Sequence, residues 1–429
     1  MRLTLRRPAR PPLPLTLLST AALVLIPAAL LLAFPRRSAA GLERLLPSAA
    51  LLQSFPVRTG QPPPDLWSQR LGPAAARRLW SAQRALWWQF WGAHGDAGAF
   101  LALRAPASLP PPANSLRVDD LLVVAPDPLA RQLLQQQLQV RRRPPRGLAL
   151  RCVQQLRQGQ AVHWSAGAIA QMLGPLAPLA EDLEQGCLQL SGEGSVLRWQ
   201  GEADASEGSL AAQPPPLTPV PLAPLAENQW LELRGRQLNL LLRGLLSSPL
   251  LRQSLAQTYG LGPGPLRLLQ STPFQLRVHP VTAGPFRAGL QLQLELALAA
   301  ERTVLEAWLA DLSTALGEQG LAELQPAAGV RAWSREDGTV VGGWRWLSGR
   351  QQLLLFLGPV PTAVPASQPL GEVSWRLRLR PQAMAQAGLL PPELPPVVRR
   401  SRQLLLSGRV AGSRPGERQS SLAGALDLR

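Results

Sequence analysis

Gly289-Leu-Gln-Leu-Gln-Leu-Glu-Leu-Ala-Leu298 (GLQLQLELAL) alternates apolar and polar residues without a break over most of its length. A period of two places every leucine on one side of an extended chain and Gln291, Gln293 and Glu295 on the other. That pattern predicts an antiparallel strand with one face on a core, because a strand of a parallel sheet is buried on both faces and reads as a continuous apolar run. The flanking sequence fits the same plan. Downstream, Thr303 to Leu324 predicts a helix with Val304, Trp308, Leu312 and Leu316 on one face. Arg331–Trp333 and Val340–Leu347 form a hairpin around Asp337-Gly338, and Gln351–Leu357 adds a strand. Upstream, Phe274–His279 is a strand, Leu238–Tyr259 is mostly helical, and Trp230–Leu233 is a strand.

Gln213 to Pro224 (QPPPLTPVPLAP) interrupts this pattern. Its prolines cannot donate ladder hydrogen bonds and favour an extended spacer. Before it, Phe100–Leu103 and Leu121–Val124 read as strands. Asp127-Pro128 supplies an N-cap and a first helical residue for Leu129–Leu138. A helix over Leu148–Gln158, a Gly/Pro-broken helical stretch over Ala168–Glu184 and a hairpin of Cys187–Leu190 with Val196–Ala203 follow. One order recurs three times: a Trp-bearing strand, a broken helical stretch, then an antiparallel pair. Its copies begin at Trp164, Trp230 and Trp375. The expected fold class is therefore α+β, with two halves of curved antiparallel sheets covered by helices, related by internal duplication. The expected organisation is a tip and anchor over 1–40, a Pro/Trp-rich juxtamembrane helical region over 41–95, a first α+β domain over 96–212, a linker over 213–225 and a second α+β domain over 226–429.

Thr16 to Phe34 contains no charge and, with Leu13–Leu15, is long enough to cross a bilayer. Arg2, Arg6, Arg7 and Arg10 precede it and Arg36, Arg37 and Arg44 follow. With the α-amino group counted, the positive-inside rule predicts a cytoplasmic N-terminus and an extracytoplasmic bulk, in a periplasm or thylakoid-type lumen. Ser38-Ala39-Ala40 has the small residues of a signal-peptidase site. The length of the apolar run and the intervening Arg36-Arg37 favour an uncleaved signal anchor. Pro73 to Trp91 predicts a helix whose Trp80, Trp87 and Trp91 share a face, with Arg77 and Arg84 nearby. Two placements remain open for that stripe, a protein core or the headgroup layer of the membrane.

The formal charge is +17 and all 44 basic residues are arginine. With Ile only at 26 and 169 and Tyr only at 259, the missing lysine fits GC-rich codon usage and is not evidence for arginine-specific recognition. One cluster stands out, Arg141-Arg142-Arg143 with Arg146, a candidate patch for anionic lipid or glycan surfaces. The basic residues have no nucleic-acid-module spacing, so nucleic acid is not an expected partner.

The segment GPLAPL (Gly174 to Leu179), GCLQL (Gly186 to Leu190), Trp199 and Gly201, with the anchor and the recurring layout, resembles uncharacterised cyanobacterial membrane-anchored proteins. The resemblance covers most of the chain after the anchor. It implies a lineage and no activity or cofactor.

Catalytic signatures are missing from the sequence. His94, His163 and His279 have no partner at metal-ligand spacing, and there is neither a Walker loop nor a Gly-x-Ser-x-Gly elbow. Gly260-Leu-Gly262-Pro-Gly264 imitates a phosphate loop, but Pro263 and Pro265 lack the donors a phosphate needs. The pairs Asp119-Asp120 and Glu181-Asp182 are adjacent and do not converge as a glycosidase pair would. Cys152 and Cys187 are either one disulfide or two buried thiols. The expected function is therefore a non-enzymatic, membrane-tethered binding, scaffold or assembly factor without a cofactor. Its alternative is a carrier or sensor of a lipid, glycan or other apolar or anionic ligand, and an unrecognised hydrolase ranks below both.

Overall fold

The computed structural model describes residues 38–58, 60–92, 98–140, 143–168, 183–204, 215–218, 221–239, 242, 249–282, 285–347, 351–362, 364, 369–392, 394–411 and 419–429. Its first half contains β1 (Ala49–Pro56), β2 (Leu86–Gly92), β3 (Phe100–Arg104), β4 (Ser115–Val118), β5 (Leu121–Val124), β6 (Ala161–Trp164), β7 (Gln185–Glu193) and β8 (Val196–Asp204). The second half contains β9 (Leu231–Gly235), β10 (Phe274–Pro280), β11 (Ala288–Glu295), β12 (Ala322–Ala327), β13 (Val330–Ser334), β14 (Val340–Leu347), β15 (Gln352–Leu357), β16 (Trp375–Leu379), β17 (Gln403–Ala411) and β18 (Gln419–Asp427). The α-helices are α1 (Leu42–Leu45), α2 (Asp65–Leu71), α3 (Pro73–Ala82), α4 (Pro128–Gln139), α5 (Gly147–Gln158), α6 (Pro249–Tyr259), α7 (Pro263–Ser271), α8 (Ala299–Glu318), α9 (Pro381–Gln386) and α10 (Pro396–Arg399).

The strand pairings run β4-β5-β3-β2-β1-β6-β7-β8-β18-β17-β16-β9-β10-β11-β15-β14-β13-β12, and every pair is antiparallel. Within this sheet one order of elements recurs. β9, α6 with α7, β10 and β11 form one copy, and β16, α9 with α10, β17 and β18 another. β6 and the β7–β8 hairpin keep the strand order of a third, and residues 169–182 between them, where the broken helical stretch was expected, lie outside the described residues. β1, α2 with α3, β2 and β3 form a fourth, which the sequence pattern did not suggest. In each copy the first strand pairs with the second and the second with the third. The copies then meet in pairs, β1 against β6 and β9 against β16, while β8 and β18 join the pairs. One packing detail recurs as well. A Cβ at Gly186 would lie 2.4 Å from the Trp164 ring of the neighbouring strand, and a Cβ at Gly408 would lie 2.4 Å from that of Trp375. Each indole lies flat over the strand beside it, where only glycine leaves room.

The alternation in GLQLQLELAL is resolved as its period predicts. Leu292 and Leu294 pack with Leu269 of α7 and with Leu305 and Leu309 of α8. Gln293 lies against the opposite face of the sheet. In the first half both faces are covered. Trp88, Phe90 and Phe100 pack with α4 and α5, while Trp87, Leu101 and Leu103 pack with α2 and α3. That explains why β2 and β3 carry no polar face.

Three differences from the sequence pattern have physical causes. The helix expected over Pro73–Trp91 ends at Ala82, where the Gln83 amide donates to the carbonyls of Leu79 and Arg104. Leu86-Trp-Trp-Gln-Phe-Trp91 then becomes β2, paired on both sides with β1 and β3. The region 41–95 therefore supplies two strands as well as helices. The helix expected to reach Leu324 stops at Glu318, because Gly320 takes a left-handed φ of 87° and the chain turns into edge strand β12. The Pro-rich stretch is not a free spacer in its described part. Leu217 is buried, its carbonyl accepts from Gln200, and the Pro215 carbonyl accepts from Ser421. Beneath it the sheet is continuous from β8 to β18. Among the described residues no helix is long and apolar enough to cross a membrane, and the run Thr16–Phe34 lies outside them.

Candidate functional site

The polar face of β11 belongs to a wider polar floor. Cross-strand register places Arg376, Arg234, Gln275 and Gln293 in one row across β16, β9, β10 and β11. The next row holds Arg378, Glu232, Arg277 and Gln291. These residues alternate with the leucines and aromatics of the apolar face, so the same period that builds the core builds the floor. The floor is deeply buried: Arg234 is 6% exposed, Arg277 5%, Gln275 5%, Gln293 4% and Glu232 4%.

Glu232 organises the charge. Its carboxylate accepts from Arg378 and, at 2.8 Å, from the Gln275 amide, and Arg234 Nε stands 3.8 Å away. Gln293 in turn donates to Gln352 at 2.9 Å. Among the described residues, Arg234, Arg277, Arg376 and Arg378 stand with Glu232, and Glu295 also attracts Arg234. Burial is the main influence on Arg234 and lowers its pKa, and Glu232 opposes the shift. Arg277 shifts the same way, again through burial first and against Glu232. Arg376 is lowered by burial and then by the neighbouring Arg378. Guanidinium remains charged at any ordinary pH, so these shifts express a cationic floor short of water.

Above this floor lies a cavity of about 610 Å3, lined among others by Arg234, Gln275, Gln293, Glu295, Gln352 and Leu370. Residues 369–373 cross its edge as a strap tied down by arginines. Arg236 donates to the carbonyls of Val373 and Gly371, and Arg409 donates to the carbonyl and carboxylate of Glu372. The volume falls inside the range of about 300–1,000 Å3 usual for small-ligand sites. Its lining sets the guanidinium of Arg234 and the amides of Gln275, Gln293, Gln351 and Gln352 beside the carboxylate of Glu295.

The residues singled out in the sequence lie elsewhere. Trp80 and Trp87 are buried with Trp67 in a cluster whose ring centroids are 5.1 to 6.5 Å apart, while Trp91 is half-buried. Arg77 and Arg84 are exposed beside that cluster. Cys152 of α5 and Cys187 of β7 form a disulfide with Cα atoms 5.5 Å apart. Arg143 and Arg146 are exposed, and Arg141 and Arg142 lie outside the described residues, as does His94. His163 faces the disulfide side of the sheet, opposite Cys187 in register, and burial pushes its pKa down to about 4. His279 lies over Gly289, whose missing Cβ would come within 2.3 Å of the ring, and burial lowers its pKa too. Among the described residues no three His, Cys, Asp or Glu side chains are grouped to hold a metal.

The floor arginines were not singled out in the sequence. Their signal was present in Trp375-Arg-Leu-Arg-Leu379 and Leu231-Glu-Leu-Arg234, where the polar half of a strand pattern is charged at every turn of the pleat. The chain matches no family model, and no curated protein or solved structure matches it.

Proposed function

We propose that this is a non-enzymatic, membrane-tethered binding protein that presents an anion-binding cavity outside the cytoplasm. The observation that carries the binding function is a ligand-sized cavity whose lining includes the guanidinium of Arg234 and the amides of Gln275, Gln293, Gln351 and Gln352. The tether rests on the uncharged run Thr16–Phe34 and the arginines on its N-terminal side.

The binding test is thermal unfolding of the full chain in neutral detergent against sulfate, phosphate, citrate and uronate, with Arg234→Gln in parallel. A saturable rise in the midpoint with at least one anion, reduced in the variant, is expected. No saturable rise with any of them overturns the binding function. Protease protection of the C-terminus in intact cells, lost on opening the outer envelope, together with resistance to carbonate extraction, is expected for the tether. A protease-accessible soluble fraction overturns it.

A further inference from the structure

The start of the folded part is bolted down within a few residues. Ala39 is buried, and Leu42 and Leu45 of α1 pack in one core with α4 and α5. Gly41 N–H donates at 2.6 Å to the carboxylate of Asp119, in the turn between β4 and β5. A Cβ on Gly41 would strike the Asp120 carboxylate at 2.6 Å, and its φ of 54° is left-handed, so the join suits glycine. Glu43 pairs with Arg157 of α5 at 3.4 Å, and Arg44 donates at 2.6 Å to the carbonyl of Leu138 in the last turn of α4. The uncharged run of the sequence ends at Phe34, and Pro35 to Ser38 alone separate it from Ala39. Fully extended, that lead reaches no more than about 18 Å. With the run in a bilayer, a domain on so short a lead keeps the α1 side of its first half against the membrane.

We infer that this side docks on the anionic bilayer that holds the anchor, through Val140, Arg143 and Arg146. The inference rests on the tether. Val140 stands two residues past the carbonyl that Arg44 holds and is 63% exposed. Arg143 and Arg146 lead from it into α5 and are exposed as well. The three acids at the join are matched, Glu43 by Arg157, Asp119 by Arg44 and Asp120 by Arg104. Among the described residues neither Arg143 nor Arg146 pairs with a carboxylate, so both guanidiniums can reach headgroup phosphates. An exposed apolar side chain flanked by arginines suits the headgroup layer, the apolar group entering it and the cations staying at the phosphates. The other headgroup candidate of the sequence is on the wrong side. Trp80 and Trp87 pack with α2 and α3 on the face of the sheet opposite α1, and α3 carries Arg77.

The test places a fluorophore on Val140→Cys or, separately, on Ser81→Cys, an exposed position of α3. The native cysteines are bonded to each other, so the added thiol takes the label. The full chain is reconstituted in phosphatidylcholine vesicles with or without phosphatidylglycerol, each containing a headgroup-attached quencher. With phosphatidylglycerol, quenching at Val140→Cys should exceed that at Ser81→Cys about threefold or more, since one arginine near an anionic surface favours contact about fivefold. Arg143→Gln combined with Arg146→Gln, or salt at about 1 M, should remove most of that excess. Unchanged thermal unfolding confirms that the paired variant is folded. Equal quenching at the two labels, in a chain that resists carbonate extraction, overturns the docking and leaves the tether. Stronger quenching at Ser81→Cys overturns it in favour of the α3 side. Quenching at Val140→Cys that ignores both phosphatidylglycerol and the two arginines overturns the anionic contact. A chain that carbonate strips from the vesicles overturns the tether and this inference with it.

Discussion

Glu232→Gln is the sharpest test of how the floor is held together. The substitution keeps the side-chain shape and removes one buried negative charge that faces Arg378, Arg234 and Arg277. At an effective dielectric of about 20, a charge pair at roughly 4 Å is worth about 4 kcal/mol before desolvation is counted. Glu232 has two arginine nitrogens at or within that distance, and its own burial offsets part of the gain. Removing one member of a buried pair costs about 3–5 kcal/mol, because the remaining charge stays buried. The expected result is a loss of that size in urea unfolding of the full chain in neutral detergent, partly restored by sulfate. The control is Glu306→Gln on α8. It breaks an exposed pair with Arg302 and should cost about 0.5 kcal/mol or less. Anion affinity should move the other way and rise in Glu232→Gln, since the floor gains a net positive charge. If the two variants lose the same stability and anion affinity does not rise, Glu232 is not the counter-charge of this floor.

Three further outcomes follow from the first half. Reducing the Cys152–Cys187 bond, or replacing both residues by Ser, should lower stability by about 3–4 kcal/mol, because the bridge closes a loop of sequence separation 35; unfolding with and without a thiol reductant measures it. His163 has a folded pKa of about 4 against an ordinary 6.5, so the unfolded chain takes up the proton first as pH falls. Its contribution is complete above pH 6.5 and is lost on the way down to about pH 4, roughly 3 kcal/mol in all, and His163→Gln should flatten that window in a pH series of unfolding curves. Trp67→Ala should cost about 3–5 kcal/mol, since Trp67 is fully buried against Trp80 and Trp87, and calorimetric unfolding should register a folded but much less stable chain.

Local pattern was enough wherever a segment's surroundings are one-sided. GLQLQLELAL reads as it folds because helices cover one face of β11 and polar groups line the other. Asp127-Pro128 reads as a helix start because the cap is made within the segment itself, Asp127 accepting from Ala130. The pattern misled where burial is two-sided or uneven. β2 is packed from both faces, so its aromatics also satisfy a helical spacing. Ala49–Pro56 has an irregular burial pattern and shows no alternation to read. The candidate site was hidden for another reason. Its arginines come from β9, β10 and β16, and only the pairing of those strands places them side by side. A single arginine on a single strand carries no sign of that neighbourhood.

The seam between β8 and β18 has a consequence for how the molecule is made. Ser195 beside β8 and Asp427 of β18 meet although 232 positions separate them. A chain emerging N-terminus first therefore completes β8 long before its partner exists, and β8 waits with one edge of backbone groups unpaired. Such an edge is an invitation to mispairing and to proteases. Molecules interrupted anywhere before residue 419 would keep that edge bare, while finished ones would bury it. The seam thus makes the edge of the first half depend on a strand that the chain supplies more than two hundred residues later.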